Sequence, residues 1–162
     1  MGELRFRKAE PAELSEIEEI YAVARAFMRE TGNPTQWGSV YPPREVIASD
    51  IENGRLFVAE DGEIEAVFAY IPGVDPTYGY IEGAWKWEGP YSAVHRVASR
   101  GKRRGMIRAI MDYCFSLCES VRIDTHENNS VMQKALESYG FVRCGVIYLE
   151  SGDPRIAYQK NK

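Results

Sequence analysis

Asp61-Gly62, set between two strand-like runs, constrains this chain more than any other feature. Leu56–Glu60 and Glu63–Ile71 flank it on either side. An Asp-Gly pair tolerates the left-handed backbone of a two-residue turn, so the two runs must return on each other antiparallel. Downstream, Ser92–Ser99 reads as a strand. From about Arg103 the apolar positions Ile107, Ile110, Met111, Cys114, Phe115 and Cys118 recur at helical spacing, and Val121–Thr125 is a strand again. Strand, helix and strand in succession imply a parallel crossover. A sheet that must hold both a hairpin and a crossover is mixed.

The remaining elements fill in around that requirement. A short strand covers Leu4–Arg7. Pro11 suits the first turn of a helix whose stripe is Leu14, Ile17, Tyr21, Ala24 and Phe27/Met28, ended by Thr31-Gly32-Asn33-Pro34. A second helix follows Pro42-Pro43, with Val46, Ile47 and Ile51 inward and Gly54 as its stop. Residues 72–90 show no period and read as a long loop, the kind that is usually functional or mobile. A helix over 129–139 turns Val131, Met132, Ala135 and Leu136 inward. Phe141–Leu149 is a strand, Ser151-Gly152-Asp153-Pro154 a turn, and Arg155–Gln159 a last strand. The expected fold is one α/β (mixed α+β) domain over 1–162. Its central twisted sheet is mixed but mostly antiparallel, with helices on both faces.

At 162 residues the chain has the length of one domain that buries roughly 70% of its unfolded surface. Twenty Lys+Arg against 24 Asp+Glu give a net charge of −4. That disfavours wholesale affinity for nucleic acid or anionic lipid. The apolar runs fall far short of the ~20 residues of a membrane span, and MGELRFRKAE lacks a signal-peptide core. Cys114, Cys118 and Cys144 are an odd, sparse set, expected as reduced core thiols of a cytoplasmic protein. No metal-ligand motif stands out.

The segment that carries chemistry is Arg100-Gly101-Lys102-Arg103-Arg104-Gly105, between strand and helix. Residues 96, 100, 102, 103, 104 and 108 are all basic and no acidic residue interrupts them; without those six, fourteen basic residues face 24 acidic ones. Glycines in such a turn let backbone N–H groups converge, and the first N–H groups of the helix have no partners within it. With the helix dipole they favour a phosphate. A plain basic turn is the alternative. A P-loop is ruled out because Met106 and Ile107 follow the second glycine, and a dinucleotide fingerprint is absent.

In these residues the chain resembles the GNAT N-acyltransferases. Their strand is followed by Arg/Gln-x-x-Gly-x-Gly/Ala and a helix, and here Arg103 stands at the first glycine. Asn129, with Gly140-Phe141 eleven residues on, matches a second family element, while Leu136 occupies the place of a frequent tyrosine acid. Asn33-Pro34-Thr35-Gln36-Trp37, Asp75-Pro76-Thr77-Tyr78, His95-Arg96-Val97-Ala98-Ser99 and Arg122-Ile123-Asp124-Thr125-His126 extend the likeness to a bacterial branch of the family.

The resemblance implies acetyl-CoA as co-substrate. It would be held by the amides of the 101–106 turn with Val97, Arg100, Gly101, Lys102, Arg103, Arg104, Gly105, Met106 and Asn129. It also implies an acceptor amine on a small molecule or peptide; no metal is expected, the charge and hydropathy above argue for no nucleic acid and no membrane partner, and a homodimer is left open. Direct attack of the amine needs an N–H donor for the oxyanion, carried to Val97, and a base. His95 is the first candidate base, against a hydrogen-bonded core histidine. His126 is the second, against a residue that precedes a helix cap. Asp124 is expected to pair with Arg96 across strands. Trp37, Tyr41, Trp85 and Trp87 are either an acceptor wall or loop packing. The rival function is a non-catalytic module that binds CoA or phosphate.

Overall fold

The computed structural model describes residues 2–162. The elements are β1 Arg5–Lys8, α1 Leu14–Glu30, α2 Arg44–Glu52, β2 Leu56–Asp61, β3 Glu63–Pro72, β4 Glu82–Gly83 and β5 Ser92–Ser99. After them come α3 Met106–Leu117, β6 Ser120–Thr125, α4 Ser130–Tyr139, β7 Val142–Tyr148 and β8 Pro154–Asn161. The fold is mixed α/β, with the eight strands in the order β1-β2-β3-β5-β6-β8-β7-β4. Most pairings are antiparallel, and β5 with β6 is parallel. Hairpin and crossover thus both occur as the sequence requires. Contacts divide the chain into two compact units, one running to Tyr70 with His95–Met106, the other Ile71–Val94 with Ile107–Lys162.

In the first unit the Asp61-Gly62 hairpin sets Phe57 opposite Phe68 and Val58 opposite Val67, with a bulge at Ala59/Glu60. β1 pairs along β2 one residue later than the sequence suggests, from Arg5 to Lys8. Pro11 opens a short 3-10 turn over Pro11–Glu13 ahead of α1. Ile17, Ile20 and Tyr21 of α1 and Ile47 of α2 are buried with Leu56, Val58 and Phe68. Phe27 departs from the expected stripe and is half exposed, while its neighbour Met28 is partly covered. Arg7 ties β1 to both Glu13 and Glu60, and its hydrogen bonds hold both carboxyls below the usual carboxylate range.

In the second unit β8 lies between β6 and β7. It runs on to Asn161, beyond the expected Gln159, because Ser120 of β6 is paired opposite Asn161. The stretch 72–90 is less irregular than expected. β3 continues to Pro72, Pro76–Gly79 forms a 3-10 turn, and β4 adds two residues to β7. So brief a strand has no period to read. It depends on close backbone approach, since a Cβ on Gly145 would lie 2.1 Å from the Glu82 carbonyl oxygen.

Leu136 of α4 is fully buried, whereas Val131 is exposed on the first turn. Cys114 is buried, and burial pushes its thiol up to about 12. Cys118, just past the end of α3, and Cys144 on β7 are only half-buried, against the expectation of core positions.

Candidate active site

The turn from β5 to α3 is fixed by hydrogen bonds and ion pairs within the first unit. Gly101 and Gly105 stand at φ 79° and 75°. Both positions therefore need glycine for backbone reasons alone, since a Cβ at either would meet nothing. Much of the basic island is already partnered. Arg100 donates to the Ile64 carbonyl and to Glu16 at 2.7 Å, and Lys102 to Glu63 at 2.9 Å. Arg103 donates to Asp61 at 3.2 Å and to the Gly2 carbonyl at 2.7 Å. Arg104 is exposed and has no partner among the described residues.

Arg96, upstream of this turn, has φ 52°, and it is the single non-glycine residue with positive φ among those described. The sequence pairs it with Asp124. The carboxylate it takes is instead Asp50 of α2, with Nε to Oδ2 at 2.7 Å and Nη2 to Oδ1 at 3.0 Å. Burial is the largest single influence and works against the Arg96 charge, but the hydrogen bonds and charge of Asp50, together with Tyr41, outweigh it and raise its pKa. Asp50 is almost fully buried and also accepts from Arg55 at 3.2 Å. The sequence signal for this partner is a carboxylate on the helix that bears Ile47 and Ile51. Tyr41 lies 3.5 Å from Arg96 Nη1, Trp37 packs at 6.3 Å from Tyr41, and Tyr21 sets its ring on Trp37 at 5.7 Å. The expected acceptor residues Trp37 and Tyr41 thus gather around Arg96. His95 is half-buried on β5 beside it.

The other candidates belong to the second unit. His126 closes β6, and its Nδ1 accepts from the Asn128 N–H at 3.0 Å. A neutral imidazole has one donor and one acceptor nitrogen, so the proton sits on Nε2. Burial and the Arg155 cation hold its pKa below the ordinary histidine value. Asn129 caps α4, its Oδ1 accepting from the Met132 N–H at 3.0 Å. Asp124 accepts from the Tyr78 hydroxyl at 2.6 Å. Trp85 packs on Tyr78 and donates to its carbonyl, and the Arg122 guanidinium stacks between Trp85 and Tyr91 at 4.2 and 4.1 Å. Gln159 holds the Trp87 backbone through both its N–H and its carbonyl. The long stretch is therefore anchored by named contacts rather than loose.

No family model matches the chain, and no curated protein does either. Among solved structures, an acetyltransferase of the GNAT family from Streptococcus agalactiae is 35% identical, with a TM-score of 0.87 over 98% of this chain and 95% of that one. The chain belongs to the GNAT family of acetyltransferases. It is accordingly an N-acetyltransferase. A GNAT-family acetyltransferase from Bacillus cereus shares the fold at 23% identity, with a TM-score of 0.63 over 99% of each chain. So does the Salmonella typhimurium protein yncA, solved with its cofactor acetyl-CoA. It is 13% identical, with a TM-score of 0.64 over 99% of this chain and 94% of that one.

Two departures from the GNAT pattern acquire physical content. Arg103, standing where the family has a glycine, does not have positive φ, so no left-handed conformation is lost there. Leu136 is buried in the core and offers no proton. The nearby Tyr139 donates to Asp112 at 2.7 Å and stacks on Phe115, and burial pushes its phenol up to about 12.

Proposed function

We propose that this GNAT enzyme transfers the acetyl group of acetyl-CoA to an amine of a small molecule or peptide, by direct attack within a ternary complex. Acetyl-CoA supplies a thioester carbon, which the amine nitrogen attacks as the C–S bond breaks; the amine loses one proton and the CoA sulfur gains one. The observation that carries this reading is the 101–105 turn. Two left-handed glycines bracket it, α3 begins directly after it, and Arg104 is left unpaired. Backbone N–H groups and one available guanidinium suit a pyrophosphate.

Val97, just before the turn, supplies the N–H for the oxyanion in this reading, and Trp37 with Tyr41 walls the acceptor. His95 takes the amine proton. His126 is the weaker base because its acceptor nitrogen already holds the Asn128 N–H. With Leu136 in the family tyrosine's place, the leaving thiolate collects its proton from solvent or another group, an undemanding step for a thiol of pKa near 8.5. Titration calorimetry with acetyl-CoA, followed by turnover against a panel of amines and peptides, tests the proposal. Micromolar binding with CoA release on some acceptor supports it. Absence of binding at millimolar acetyl-CoA overturns it.

A further inference from the structure

We infer that Tyr21 is a positioning residue for acetyl transfer: its hydroxyl holds the Arg96–Val97 peptide and so aims the Val97 N–H. The inference rests on reading Val97 as the oxyanion donor. It adds a residue that neither the motif nor its spacing indicates.

Arg96 sits at φ 52° in the middle of a strand, a conformation that a side chain with a Cβ rarely adopts and that persists only where the surroundings enforce it. Two contacts enforce it. Asp50 grips the guanidinium through two hydrogen bonds, and the Tyr21 hydroxyl donates to the Arg96 carbonyl oxygen at 2.8 Å. Tyr21 is fully buried in α1, and its ring is held edge-on by Trp37, so the hydroxyl has a fixed place from which to donate. Burial pushes the phenol up, which keeps it a neutral donor.

The peptide bond transmits this hold. The Arg96 carbonyl and the Val97 N–H belong to one planar, trans unit and point in opposite directions. Fixing the oxygen toward Tyr21 therefore fixes the Val97 N–H away from it. The same hydrogen bond polarises the unit and strengthens that N–H as a donor. A donor aimed before the reaction begins is what oxyanion stabilisation requires. Tyr21 then acts without touching a reacting atom.

Nitrogen-15 NMR of the full chain tests this, with acetyl-CoA and free CoA as separate probes. In the wild type, acetyl-CoA should shift the Val97 amide proton downfield more than CoA does, because only the acetyl carbonyl can accept from it. In Tyr21→Phe, which keeps the buried volume, that acetyl-specific difference should fall at least two-fold while the Gly101 and Gly105 amides respond as before. With any amine the wild type acetylates, kcat should fall roughly 3–30-fold and KM for acetyl-CoA stay within about two-fold. A purely structural tyrosine would lower the melting temperature and leave the Val97 response intact, which overturns the inference. Should Tyr21→Phe not fold, the wild-type spectra still put the inference at risk, since a Val97 amide that ignores the acetyl group also overturns it. Silence of Gly101 and Gly105 with both probes would instead sink the cofactor reading.

Discussion

Replacing Asp50 by asparagine should cost this protein a large share of its stability. The Asp50 side chain is 1% exposed and lies between Arg96, 16% exposed, and Arg55, 35% exposed. Its carboxylate accepts from Arg96 at 2.7 and 3.0 Å and from Arg55 at 3.2 Å. Asparagine keeps the shape and one acceptor oxygen, but leaves two guanidinium groups around a neutral amide. Breaking a buried ion pair from one side costs about 3–5 kcal/mol. Arg55 is partly screened by water and the amide oxygen retains one bond, so about 2–4 kcal/mol is the working figure. For a chain of this size that lowers Tm by roughly 5–15 °C. Urea melts of Asp50→Asn, Arg55→Met and the double variant provide the assay. Removing one of the two cations should recover about 1–2 kcal/mol, so the cycle should be non-additive. A single variant within about 1 kcal/mol of wild type, or a strictly additive cycle, would refute the reasoning.

Other consequences separate residues that the sequence treats alike. Arg104→Gln should weaken acetyl-CoA binding roughly 3–10-fold by calorimetry, because its charge has no competing partner. Arg103→Gln should change affinity less than about two-fold and lower Tm instead, as its guanidinium is committed to Asp61 and Gly2. For His126, the native pKa lies below the unfolded value of about 6.5, so the unfolded chain binds more protons as pH falls. Its contribution to stability is therefore complete above that value and is lost as pH drops through it toward the native pKa. Tm should decline between pH 7 and 5, and less steeply in His126→Gln; an unchanged slope would contradict the burial argument. His95→Asn should lower turnover by ~10²–10⁴ with CoA affinity unchanged, and a stable variant at full rate would remove His95 as the base.

Most regular elements were legible because each carries a local signal. Asp61-Gly62 defines the β2–β3 hairpin, Pro11 and Thr31-Gly32 bracket the first helix, and α3 repeats its apolar stripe over three turns. β4 was illegible, since two residues make no period and the pairing partner Gly145 lies more than sixty positions away. The turn that reads as an anion site was visible for the same local reason as the hairpin. Its surroundings were not. Arg96 could be seen as a cation needing a carboxylate, yet sequence cannot say whether Asp50 or Asp124 approaches it. Tyr21 reads as one more apolar residue on a helix stripe, and its hydroxyl matters only because Arg96, seventy-five positions on, presents a carbonyl to it.

The basic island changes meaning once its partners are known. Counted along the chain it is six cations without an anion, which suggests recognition by charge. In the fold, Arg100, Lys102 and Arg103 neutralise Glu16, Glu63 and Asp61, and Arg96 neutralises Asp50. Arg108 instead lies over the Tyr139 ring at 5.3 Å. Of the six cations, Arg104 is the one left without a partner among the described residues, between the two left-handed glycines Gly101 and Gly105. On the proposed reading, such a site would discriminate by the direction of its donors rather than by net positive charge, which would fit a pyrophosphate better than a nucleic-acid backbone. The ion pairs then act as struts: they fasten the turn to α1 and to the β2–β3 hairpin, so the donors are in place before any ligand arrives. Loss of a strut should therefore loosen the turn before it weakens any direct contact, which is why Arg103 and Arg104, adjacent and chemically identical, are expected to behave differently.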